Sequence, residues 1–213
     1  MNYLICTIVA LFTLLTTGCK ADDAKVASNT HTNMTAKSLT IPEGAESITL
    51  GAGCFWCTEA VFQQIPGVLS VTSGYMGGTV QNPTYEQVCT GATGHAEVSR
   101  VVYDPKLTSL EKILAVFWEA HDPTSLNRQG ADSGTQYRSE IFYNTEAQRE
   151  IAEKSKITAS KEFSKPIVTL IAKAEQFYPA EDYHQDYYRL NKNRNPYCSM
   201  VIAPKLKKLG LKQ

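Results

Sequence analysis

The stretch Ser47-Ile48-Thr49-Leu50-Gly51-Ala52-Gly53-Cys54 constrains this chain more than any other. A short run of β-formers breaks at two glycines, and a helical pattern begins at once. Its apolar positions are Phe55, Ala60, Val61 and Ile65, and Pro66-Gly67 stops it. A strand that turns directly into a helix offers the junction residue unpaired backbone N–H groups and the positive end of the helix dipole. The junction residue here is Cys54. Both effects favour thiolate over thiol, which makes Cys54 the candidate nucleophile. A buried structural cysteine followed by two aromatics is the reading that the junction alone leaves open.

The rest of the chain interleaves strands and helices without a strict βαβ repeat. Val68 to Tyr75 is rich in β-formers. Ala96 to Tyr103 alternates Val98, Arg100 and Val102 against Glu97, Ser99 and Val101, which predicts a half-buried strand stopped by Asp104-Pro105. Leu110, Ile113, Leu114, Phe117 and Trp118 fall on one helical face, with Ser109 as cap. A strand is predicted from Gln136 to Tyr143 and a helix from Thr145 to about Phe163. Ile167 to Ala172 reads as a central strand because it is continuously apolar or β-branched. The tail beyond Phe177 is expected to be irregular. This order predicts an α+β fold, a two-layer sandwich of a mixed sheet with helices.

At 213 residues the chain is long enough for one domain with a real core. Its formal charge of zero gives no electrostatic case for nucleic acid as a partner. The six cysteines are Cys6, Cys19, Cys54, Cys57, Cys89 and Cys198, too few for a disulfide scaffold. Cys89 reads as a buried small hydrophobe. Leu4 to Leu15 is a short apolar run of the kind found in signal peptides. It ends in Thr16-Thr17-Gly18-Cys19, which resembles a bacterial lipoprotein signal, with a plain secretory signal or an uncleaved anchor as the alternative. The expected organisation is a signal peptide over 1–18, a lipid-anchored flexible linker over 19–38, and a folded domain over 39–213. Cys19 is the lipidation candidate, and the implied location is the periplasmic side of a bacterial envelope, membrane-anchored through lipid.

Gly53-Cys54-Phe55-Trp56-Cys57-Thr58-Glu59 resembles the signature of A-type peptide-methionine sulfoxide reductases. The resemblance continues through Gly74-Tyr75-Met76-Gly77-Gly78, Asn82-Pro83-Thr84-Tyr85, Thr93-Gly94-His95-Ala96-Glu97 and His121-Asp122-Pro123-Thr124. It extends over Gly134-Thr135-Gln136-Tyr137, Asp182-Tyr183-His184-Gln185 and Asn195-Pro196-Tyr197-Cys198. It implies a ferredoxin-like core and reduction of the S epimer of methionine sulfoxide, free or in proteins, with no cofactor and no metal. Cys54 would become a sulfenic acid, later closed into an intramolecular disulfide and recycled by thioredoxin.

The resemblance also implies roles for the matched residues. Glu97 would protonate the leaving oxygen, and Tyr85 and Tyr137 would hydrogen-bond it. Phe55 and Trp56 would form the apolar pocket for the S-methyl group, with Asp132 at the rim. Cys57 and Cys198 are the two candidates for the resolving thiol. His95 and His184 are assigned structural or hydrogen-bonding roles, and a monomer is expected.

Two other readings compete. A thioredoxin-like disulfide oxidoreductase would use Cys54-Phe55-Trp56-Cys57 as its C-x-x-C, but leaves the Glu97 and Tyr137 blocks unexplained. A zinc module would need Cys54, Cys57, Cys89 and Cys198 together, yet only one C-x-x-C pair is present.

Overall fold

The computed structural model describes residues 40–213. The signal segment, Cys19 and the linker over 19–38 lie outside the described residues. In chain order the elements are β1 (Glu46–Ala52), α1 (Phe55–Phe62), β2 (Val68–Met76), α2 (Tyr85–Cys89), β3 (Ala96–Tyr103) and α3 (Leu110–Ala120). They continue with β4 (Arg128–Gln129), β5 (Asp132–Ser133), β6 (Ser139–Tyr143), α4 (Glu146–Ala159), β7 (Leu170–Lys173) and β8 (Tyr178–Pro179). Two short helices, α5 (Tyr187–Asn191) and α6 (Ala203–Lys208), complete the chain, with a π-turn at Cys198–Ile202 between them.

The main sheet runs β7-β6-β1-β3-β2-β8. Every pairing is antiparallel except β6 with β7, so the sheet is mixed, as expected. The order β6-β1-β3-β2, with α1 crossing from β1 to β2 and α3 from β3 to β6, is the ferredoxin-like split βαβ arrangement. Strands β4 and β5 form a separate small hairpin.

The helices cover one face of the sheet because the period-2 side chains of β1 and β3 supply an apolar surface there. Ile48, Leu50 and Ala52 of β1 and Val101 and Tyr103 of β3 pack with Phe62, Leu114 and Phe117. Burying side chains of this size contributes about 1.5–3 kcal/mol each before ordering costs. The Ser109 hydroxyl accepts from Lys112 N and caps α3, and the buried stripe Leu110, Ile113, Leu114, Phe117 and Trp118 is the one that the sequence predicts. Trp118 donates its indole N–H to Ser155 of α4 at 2.7 Å, which locks the two long helices together.

Three expectations need correction. Strand β3 is buried on both faces, because Ala96 and Val98 meet Met76, Phe142 and Phe177 on the side away from the helices. Arg100 on that side is half-buried, with its guanidinium 4.6 Å from the Phe177 ring. The run from Ile167 supplies an edge strand rather than a central one, since β7 pairs only with β6 and Leu170 is 54% exposed. Its apolar character comes from Ile167 and Ile171 packing under the main core. The tail is more ordered than its composition suggests, being tied back onto α1 and β2 by polar contacts described below.

Candidate active site

Strand β1 ends at the glycine elbow, and the elbow needs glycine for two reasons. Gly53 has φ +83°, and a Cβ there would sit 2.6 Å from the Gln129 side chain. The turn places Cys54 at the N-cap of α1, where its carbonyl accepts the N–H groups of Cys57 and Thr58. Beneath α1, the helix face of β3 presents Glu97, Ser99 and Val101. The Ser99 and Thr58 hydroxyls meet at 2.6 Å and fix α1 against the strand. One step along β3, a Glu97 carboxylate oxygen accepts the Phe55 N–H at 3.0 Å. The strand pattern therefore aims a carboxyl at the first free amide of the nucleophile's own helix.

Glu97 is 1% exposed. Burial pushes its carboxyl up to about 8, aided by the charges of Asp132 and Cys57 and opposed by the Phe55 N–H. The Tyr85 and Tyr137 phenols stand close enough to Glu97 to feel its charge, and burial with that charge raises both well above the ordinary tyrosine range. Cys54, Glu97, Tyr85 and Tyr137 thus share one environment. Phe55, fully buried, lies 5.8 Å from the Tyr75 ring and 6.4 Å from Tyr85.

The two thiols of the C-x-x-C segment hydrogen-bond each other. Burial pushes the Cys54 thiol up, while Cys57, receiving the Cys54 hydrogen bond and facing Lys205, is lowered to about 7. The sequence predicts a thiolate on Cys54 from its helix position alone. The resting site differs because burial disfavours the charged thiolate and the neighbouring Cys57 and Glu97 raise the Cys54 thiol further.

Asp132, on β5, is partly exposed at the rim and accepts the Tyr197 hydroxyl at 2.9 Å. That same hydroxyl lies 3.8 Å from the Cys57 sulfur. Tyr197 also meets Trp56 edge-on at 5.8 Å, and Tyr187 stacks on Trp56 at 3.7 Å. Cys198 follows Tyr197 and is fully buried, its thiol raised by burial and by the nearby Cys57 charge. All four cysteines of the described residues are free thiols. No group of three or more His, Cys, Asp or Glu among the described residues is placed to hold a metal.

The sequence reading missed Glu59, Tyr187 and Tyr197. Buried Glu59 of α1 accepts the Asp186 and Tyr187 N–H groups at 2.9 and 3.1 Å, which ties the start of α5 to the nucleophile's helix. Burial raises its carboxyl to about 7 against those hydrogen bonds. The signal for Tyr197 was its place beside Cys198 and that for Glu59 its place at the end of the block around Cys54; nothing local marks Tyr187. Cys89 departs from expectation: it is half-exposed at the end of α2, and its thiol shares a hydrogen bond with Tyr85. A cavity of about 940 Å³ between α3 and α4 is lined by Trp118, Ile151 and Phe163 and by none of the residues around Cys54.

The family profile described as Peptide methionine sulfoxide reductase matches residues 46–213, which takes in the elbow, the carboxyl and the tail. The chain belongs to the peptide methionine sulfoxide reductase family. Similar relatives include Peptide methionine sulfoxide reductase MsrA 1 of Rhodopirellula baltica, 56% identical over 167 residues, covering 78% of this chain and 86% of that one. The MsrA of Saccharolobus solfataricus is 56% identical over 163 residues, covering 76% and 92%. Among solved structures, Mxr1 from Saccharomyces cerevisiae in reduced form aligns with a TM-score of 0.69 at 35% identity, covering 72% of this chain and 90% of that one. Mxr1 in complex with Trx2 aligns with a TM-score of 0.52 at 25% identity, covering 71% and 91%. For a methionine sulfoxide reductase, the cluster around Cys54 is the place where a sulfoxide would have to meet both a thiol and a proton donor.

Proposed function

We propose that this methionine sulfoxide reductase takes the sulfoxide oxygen of the S epimer onto Cys54, with Glu97 as the acid. The observation that carries this reading is the buried Glu97 carboxyl, raised to about 8 and hydrogen-bonded to the amide that follows Cys54. A carboxyl with that pKa is protonated in most molecules at neutral pH and can release its proton when negative charge develops on the sulfoxide oxygen. Tyr85 and Tyr137, with phenols that stay protonated, donate hydrogen bonds to the same oxygen. Phe55 and Trp56 offer the S-methyl group an aromatic wall.

The Cys54 sulfur attacks the sulfoxide sulfur as its thiolate while Glu97 protonates the oxygen. The oxygen ends on Cys54 as a sulfenic acid and methionine leaves. Cys57 then attacks that sulfenic acid, a disulfide forms and water departs. Its position one helical turn on, and its thiol lowered to about 7 where that of Cys198 is raised, favour Cys57 as first resolver. Cys198 then exchanges into the disulfide and carries the oxidation toward the tail. A thioredoxin-type dithiol closes the cycle, a partner supported by the likeness to Mxr1 bound to Trx2.

The same reading includes export and attachment through a lipidated Cys19, which the pattern Thr16-Thr17-Gly18-Cys19 supports. The central test is single-turnover release of methionine. Cys54→Ser should abolish it, and Glu97→Gln should slow it about a hundred- to ten-thousand-fold. A parent-like rate for Glu97→Gln at neutral pH would remove Glu97 as the acid.

A further inference from the structure

We propose that Lys205 is a positioning residue of the resolving step: its ammonium, on α6, holds Cys57 as the attacking thiolate once Cys54 carries the oxygen. The proposal rests on the reading of Cys57 as first resolver. Helix α6 packs against α1 and is anchored by Leu206, fully buried in the same core as Cys57. The neighbouring Lys205 is only partly buried and lines a groove of about 660 Å³ with His121, Asp122 and Gln129. Gln129 is also the side chain packed against Gly53, so the groove borders the elbow.

The Lys205 ammonium makes no hydrogen bond or ion pair among the described residues. The one carboxylate lining that groove, Asp122, is taken by the Thr124 amide and hydroxyl at 2.9 and 2.7 Å. Nothing there neutralises the lysine charge, and two buried groups on either side of it, Cys57 and His121, both feel it.

Few other groups can hold a thiolate at Cys57. The side chain is 2% exposed, and burial opposes charge. Its thiol is nevertheless lowered to about 7, first by the hydrogen bond from Cys54, then by Lys205 and the Tyr197 hydroxyl. The Cys54 S–H no longer exists once that sulfur is a sulfenic acid. A tyrosine hydroxyl has one proton to give. Tyr197 gives its own to Asp132 at 2.9 Å and stands 3.8 Å from the Cys57 sulfur. The other titratable groups around Cys57 are Glu97 on β3, Asp132 on β5 and Cys198 in the tail, which can add only negative charge. Lys205 is the one cation of the set.

The resolving step needs that cation because the thiolate, not the thiol, attacks. The Cys57 sulfur gives an electron pair to the Cys54 sulfur, the S–S bond forms and the S–O bond breaks. The oxygen leaves as hydroxide and takes a proton from solvent to become water, so Cys54 is reduced as Cys57 is oxidised.

The second step can be followed alone in the Cys198→Ser background, where the tail thiol cannot compete. After one turnover with a methyl sulfoxide, acid quenching and peptide mass mapping give the rate of Cys54–Cys57 disulfide formation as a function of pH. Lys205→Met keeps the stem and loses the charge. It should raise the midpoint of that profile by about one pH unit and slow the step about ten-fold below it. Lys205→Arg should keep the parent midpoint. A midpoint unmoved by Lys205→Met, or moved as far by Lys205→Arg, would overturn the proposal. A second measurement needs no turnover: the pH profile of Cys57 alkylation in the Cys54→Ala/Cys198→Ser protein, with the modified peptide identified by mass. Lys205→Met should shift that profile upward by a similar amount. A parent that makes no Cys54–Cys57 disulfide would remove Cys57 as resolver, a failure of the functional reading. An unmoved alkylation profile would remove Lys205 whatever the disulfide.

Discussion

Glu97 shows how one side chain can be read from a sequence only in part. The Thr93-Gly94-His95-Ala96-Glu97 block and the strand alternation place it on β3, but neither reveals that Ser99 and Thr58 bring α1 down until the Phe55 N–H touches its carboxylate. The consequence is measurable apart from activity. A carboxyl raised to about 8 in the folded state ionises more readily once unfolded, so it contributes stability below its ordinary pKa that is lost as pH climbs toward 8. Glu97→Gln should therefore gain on the parent between about pH 4.5 and pH 8, by on the order of 4 kcal/mol. Denaturant unfolding of both proteins at several pH values tests this, and parallel curves would mean that Glu97 ionises freely in the fold. Cys54 carries the complementary lesson. Its helix position was legible, whereas the burial and the Glu97 charge that raise its thiol were not, because Glu97 comes from a strand forty residues on.

The helices and strands whose periodicity is set locally were the most legible. The stripe on α3, the Ser109 and Thr145 caps and the elbow into α1 all follow from neighbouring residues. The edge position of β7 and the double burial of β3 were not visible, since both depend on which strand pairs with which and on Phe142 and Phe177 arriving from elsewhere. The tail was legible as a set of matched residues but not as structure. Its order comes from long-range polar ties, Glu59 to the start of α5 and Gln185 to both backbone groups of Ser73. That order also decides the resolving step. With Cys57 one helical turn from Cys54 and Cys198 held on its π-turn in the tail, Cys57→Ser should slow multiple turnover with thioredoxin while leaving the first burst of methionine intact. Cys198→Ser should show the milder defect. Normal recycling by Cys57→Ser alongside arrested Cys198→Ser would make the tail thiol the direct resolver.

For the whole molecule, the split βαβ core supplies a rigid platform, the elbow at the end of its inner strand β1 supplies the thiol, and the tail folds back to close the rim through Tyr197 and Asp132. Among the described residues no helix is long and apolar enough to cross a membrane. The proposed attachment is through acyl chains at Cys19, and Cys19→Ala should move the processed protein from the membrane to the soluble fraction of the envelope. Retention of that variant in washed membranes would remove the lipid anchor from the account. The central claim is that the oxygen passes from the substrate to Cys54. It is tested most directly by one turnover of the Cys57→Ser/Cys198→Ser protein with a methyl sulfoxide, in the presence of a dione that traps sulfenic acids, followed by peptide mass mapping. The account predicts one trapped adduct per methionine released, on Cys54; methionine released with the adduct on Cys89, or with no adduct formed, would contradict it.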